Sequence, residues 1–167
     1  MPVRSRRTLL TAVAVAVTAG LTLAAVTPAL AGTGASHAPA AAVSSAQGDP
    51  RNATQRVADF YGAYIDSVWA ADDPAAAANA KALRAFYLSS AAQKKAGAYE
   101  RKNHADGILF AQNVPVRWKV AYTGAGMGHS TSRVTLTWSD GRDAQVTRID
   151  VQSDLRTLKI TALKPAV

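Results

Sequence analysis

Apolar residues recur at helical spacing early in the chain. Val57, Phe60, Tyr61, Tyr64, Val68 and Trp69 fall on one stripe, leaving Arg56, Asp59, Asp66 and Ser67 outside it. This pattern predicts a helix, entered through Asp49-Pro50 as an acidic cap followed by proline at the first helical position. Asp72-Asp73-Pro74 repeats that signal. Behind it Ala76, Ala80, Leu83 and Phe86 or Tyr87 form the narrow stripe of a second helix from Ala75 to about Leu88. Ser89-Ser90 caps a third, in which Ala92, Ala96 and Tyr99 face inward as far as Asn103 and Lys94, Lys95, Arg101 and Lys102 face out.

The period then changes from 3.6 to 2. Val116, Trp118, Val120 and Tyr122 alternate with Arg117, Lys119 and Ala121, and Val134, Leu136 and Trp138 alternate with Arg133, Thr135 and Thr137. Gly124 to Ser130 reads as a flexible hairpin connection with Met127 and His129 at its tip, and Asp140-Gly141 as a tight turn. Gln145 to Gln152 slips phase between Val146 and Ile149, which predicts a bulge. A last strand runs from Leu158 to Leu163 and is ended by Pro165. Consecutive hairpins make an antiparallel meander whose apolar face needs a cover. The expected fold is α+β, with the helices packed on a curved antiparallel sheet of four to five strands.

Composition narrows this picture. The chain has 167 residues, no cysteine and a net charge of +8, and 37 alanines account for much of its 49% hydrophobic content. Basic Arg4, Arg6 and Arg7, an uncharged run from Thr8 to Thr27 and Ala29-Leu30-Ala31 read as an export signal cleaved after Ala31. The competing reading of this stretch is a retained membrane anchor. Ser5-Arg6-Arg7-Thr8-Leu9-Leu10 fits a twin-arginine signal in outline and an ordinary Sec signal equally. Removing those three arginines from the 19 basic residues leaves 16 against 11 acids, or +5, which argues against nucleic acid as partner and leaves no membrane attachment. Residues 1–31 are thus expected to be a signal peptide, 32–49 a disordered linker poor in large side chains, and 50–165 one domain.

Few residues carry candidate chemistry. His104-Ala-Asp106 sets an imidazole near a carboxylate, the pairing a general base and its orienter require. The plainer reading makes Asp106 a turn acceptor before Gly107 and His104 a helix-terminal residue. Asp150, in the irregular third strand, is a second candidate acid. Gly124-x-Gly126-x-Gly128 opens no helix and so lacks the geometry of a phosphate loop. No metal site is expected, since cysteine is absent and the histidines show no paired spacing, and no cofactor is implied. Arg117, Lys119 and Arg133 form a basic strand face that could hold an anionic cell-wall polymer by charge alone, or could be a solvated face balanced by aspartates.

Three helices, a short apolar segment at Ile108–Phe110 and then antiparallel strands are similar to the cone-shaped nuclear transport factor 2-like fold, also called SnoaL-like or cystatin-like. Phe60-Tyr61-x-x-Tyr64, Tyr87-Leu88-Ser89 and Asp106-Gly107-x-x-x-x-Ala111-Gln112 resemble small exported bacterial members of that superfamily, over about Ala53 to Leu163. The resemblance implies a pocket between sheet and helices, used by some members for isomerase or dehydratase chemistry and by many for binding or dimerisation. Where many members carry a tryptophan in the last strand, this chain has Thr157-Leu158-Lys159-Ile160. Inside such a cone Tyr61, Tyr64, Asp66, Trp118, Tyr122, Trp138 and Asp150 could line a ligand site, or the aromatics could simply fill the core. The expectation is a secreted, non-enzymatic domain whose partner is a small ligand, another protein or a second copy of itself bound through the sheet. The alternative is a small lyase or isomerase using His104, Asp106 or Asp150.

Overall fold

The structure, a computed structural model, describes residues 47–166. The export signal and most of the linker expected before Gln47 lie outside the described residues. Three helices lie on one face of an open four-stranded antiparallel sheet, the α+β arrangement that the change of period predicts.

Helix α1 (Ala53–Trp69) buries Ala53, Val57, Phe60, Tyr61, Tyr64 and Ile65; of the stripe expected of it, Val68 is only partly buried and Trp69, in the last turn beyond the sheet's cover, stays 65% exposed. Its cap is Asn52 rather than Asp49: the Asn52 side chain accepts from the Gln55 amide at 3.0 Å, while Asp49 pairs with Arg51. Helix α2 (Ala76–Tyr87) buries only Ala76 fully. Asp73 sits just before it and accepts from the Ala75 amide at 2.7 Å. Leu88 turns extended, is itself buried, and bridges to Ile160. Ser89 then caps α3 (Ser90–Asn103), accepting from the Ala92 amide at 3.2 Å. Gly107 follows that helix closely enough that a Cβ there would lie 2.3 Å from the Ala96 carbonyl oxygen. Only glycine permits this approach.

Strands β1 (Arg117–Gly126), β2 (His129–Thr137), β3 (Val146–Asp154) and β4 (Ile160–Pro165) pair in chain order. Val134, Leu136, Ile149, Val151 and Ile160 form the buried inner face, packed on Phe60, Tyr61, Tyr64, Leu88, Ile108 and Leu109. At the hairpin end of β2 the same inner row continues as Ser130 and Ser132, both buried, and the Ser132 hydroxyl lies 3.1 Å from that of Thr54 on α1. β1 is a sheet edge. It pairs with β2 on one side only, and Trp118 and Tyr122 on it remain 38% and 61% exposed.

Three expectations change. Gly124 to Ser130 is not a slack loop: the strands run through it to a two-residue turn at Met127-Gly128, with φ of 50° and 78°. Positive φ at both positions is the turn whose twist matches paired strands. The expected bulge between Val146 and Ile149 is absent, because Val146 faces out and Ile149 in without a slip. The irregularities fall instead at Tyr122/Gly124 and Gln152/Ser153. The last strand starts at Ile160, since Leu158 occupies a turn at φ 57°.

Candidate functional site

The densest chemistry lies where α1, α2, α3 and the segment after α3 meet. Asp106 is held there by four donors. Its Oδ1 accepts from the Ile108 and Leu109 amides at 2.7 and 2.8 Å, and its Oδ2 from the Tyr64 hydroxyl at 2.5 Å and Arg84 Nη2 at 3.0 Å. Arg84 also donates to the Tyr64 oxygen and reaches Glu100 Oε1 at 2.6 Å. Glu100 in turn accepts from the Gly107 amide. Burial, and after it the Asp106 carboxylate, pushes the Tyr64 hydroxyl pKa well above its ordinary 10.0. The Tyr61 hydroxyl moves the same way for the same first cause. Burial alone lowers the Arg84 pKa, but Tyr64, Asp106 and Glu100 outweigh it and raise it.

A carboxylate so occupied has no lone pair directed at a substrate; it organises a turn. The segment it organises is Asp106–Ala111, closed by backbone bonds from the Asp106 amide to the Ala111 carbonyl and from the Phe110 amide to the Asp106 carbonyl. Phe110 is held in it at φ 55°, a left-handed conformation uncommon outside glycine.

Of the candidate catalytic residues singled out by sequence, His104 and Asp106 border one surface cleft of about 360 Å³ and Asp150 lies elsewhere. His104 is exposed and left-handed at the end of α3, and its ring has no hydrogen-bond partner among the described residues. Asp150 lies on the outer face of the sheet, bonded to Arg133 at 2.8 Å. Asp106 is part-buried on the helix side. Tyr61 and Tyr64 are core residues, Tyr61 donating to the Ile108 carbonyl. Trp138 is half-buried and donates to Thr147, and Asp66 is exposed on α1. No three His, Cys, Asp or Glu side chains cluster in a metal-binding arrangement among the described residues, and no helix among them is long and apolar enough to cross a membrane.

Trp118 and Tyr122 are the expected ligand contacts that stay accessible. Their inward rings lie along the edge strand, Trp118 against Gly62, where a Cβ would come within 2.9 Å of the indole. Beside Tyr122 opens a groove of about 550 Å³ between the start of α1 and the hairpin, lined by Thr54, Ala58, Val120, Tyr122, Ser130 and Leu155 among others. Sequence reasoning missed Ser130 in this groove. Ser130 continues, through Ser132, the period-two row of Val134 and Leu136, a signal legible only if small polar residues count as inward. Arg84 and Glu100 were missed for want of any local pattern.

No family model matches the chain, and no curated protein matches it. Among solved structures, a protein of unknown function from Bacteroides thetaiotaomicron VPI-5482 is similar in fold: 19% identity, a TM-score of 0.53, and coverage of 68% of this chain and 88% of that one.

Proposed function

We propose that this chain is an exported, non-enzymatic binding domain that takes its ligand in the groove between the start of α1 and the inner face of β1. The observation that carries the reading is the contrast between an interior filled by Phe60, Tyr61 and Tyr64 and an open groove edged by the 61% exposed Tyr122. The groove joins an aromatic and aliphatic wall to hydroxyls of Thr54 and Ser130, the mixture that small-ligand sites use. The order of three helices and then antiparallel strands supports a nuclear transport factor 2-like architecture, and the basic, apolar and Ala29-Leu30-Ala31 segments of the leader support export. The lyase or isomerase alternative needs an acid and a base at one place. His104 and Asp106 border one surface cleft, but the Asp106 carboxylate is occupied by its four donors there, and Asp150 lies apart on the outer sheet face, paired with Arg133.

The test is amide chemical-shift mapping with phenol and indole as neutral aromatic probes. Shifts are expected at Thr54, Ala58, Tyr122 and Ser130, and to be lost in Tyr122→Ala. Silence in this groove, or a cluster of shifts centred on His104 in its place, refutes the reading.

A further inference from the structure

A second cleft lies at the opposite end of the strands. β4 stops at Pro165, paired with Ile149, and the Ala166 amide closes on the Arg148 carbonyl at 2.8 Å. The first residues of β3 are left without a β4 neighbour. The cleft there has a volume of about 540 Å³ and is lined by Tyr99, Leu109, Phe110, Arg133, Arg148 and Pro165, with four further residues. That volume suits a small organic ligand.

One wall is apolar and fixed. The Tyr99 and Phe110 rings meet edge to face at 4.8 Å, and Phe110 is held left-handed by the turn that Asp106, Arg84 and Tyr64 anchor. The other wall is cationic. Arg133 is committed to Asp150, whereas Arg148 is exposed and has no ion-pair partner among the described residues. Among the described residues the cleft therefore offers one unneutralised guanidinium beside an aromatic surface.

We infer that this cleft binds a monoanionic carboxylate carried on an aromatic or branched apolar body, with the carboxylate on Arg148 and the body against Tyr99 and Phe110. The planar guanidinium fork matches a carboxylate bidentately. A single free positive charge balances a monoanion and leaves a phosphate monoester dianion under-compensated, which selects the carboxylate between the two.

The experiment titrates the full chain with 2-naphthoate, 2-naphthamide and 2-naphthyl phosphate, following amide shifts and heats of binding. The naphthoate is expected to perturb Tyr99, Phe110 and Arg148 and to bind at least about tenfold more tightly than the amide, with the phosphate no better than the carboxylate. Arg148→Gln, an exposed change, should abolish the preference over the amide while leaving circular dichroism unchanged. Asp150→Asn releases Arg133 and should tighten naphthoate binding severalfold. Equal binding of acid and amide, an undiminished preference in Arg148→Gln, tighter binding of the phosphate, or shifts confined to the Tyr122 groove would each overturn the inference. Tyr122→Ala should leave naphthoate binding intact, so failure at one site is read separately from failure at the other.

Discussion

Asp106 gathers donors from residues 22 and 42 positions away as well as from its own turn, so its removal acts on several elements at once. Asp106→Ala removes the acceptor of the buried Tyr64 hydroxyl and one of the three acceptors of Arg84, which keeps Glu100 and the Tyr64 oxygen, and it frees two amides. The expected cost is about 3 kcal/mol, read from the urea midpoint at neutral pH. A second expectation concerns alkali. Because the folded pKa of Tyr64 is raised above 10.0, its neutral form is favoured in the fold. The stability it contributes is whole below pH 10.0 and is lost as pH rises through the higher folded value. Tyr61 adds to the effect in the same direction. The urea midpoint should fall steeply above pH 10, and less steeply in Tyr64→Phe; identical slopes would contradict the assignment. None of this network was visible in the sequence, where His104 and Asp106 look like partners by adjacency. The true partners of Asp106 are set by helix packing, which no local pattern reports.

Single elements were far more legible. The stripe from Val57 to Tyr64 and the alternation around Val134 fixed helix and strand identity, because burial selects one face at a period the backbone dictates. Element ends were less legible: Asn52 rather than Asp49 caps α1, since an Asp-Pro signal says that a helix is near but not which neighbour bonds its first turn. The hairpin at Met127-Gly128 was misread for a chemical reason. Its type requires positive φ at both positions, for which asparagine followed by glycine is the usual pair, and methionine hides the signal. Met127, 99% exposed, makes no contact worth keeping. Met127→Asn should therefore stabilise the domain by about 0.5–1 kcal/mol, seen as a higher thermal midpoint.

At the scale of the molecule, burial is uneven. The inner rows of β2 and β3 and the stripe of α1 hold most fully buried large side chains, while α2 buries one alanine outright and β1 none. Amide hydrogen exchange should be slowest at Val134, Leu136, Ile149 and Val151, and markedly faster in α2 and on the unpaired side of β1. Uniform protection would contradict this ranking. The open side of β1 has a consequence for the chain in concentrated solution. Ten residues of strand present unpaired amides and carbonyls in a row, with Trp118, Val120 and Tyr122 alongside, the kind of template on which edge-to-edge aggregation starts. What restrains it is Lys119 and Arg117, alternating with those apolar residues, and the register shift between Tyr122 and Gly124. At about 1 M salt the reach of those charges shrinks to roughly 3 Å. High ionic strength thus removes the electrostatic guard and leaves the irregular register as the remaining barrier to fibrillar stacking.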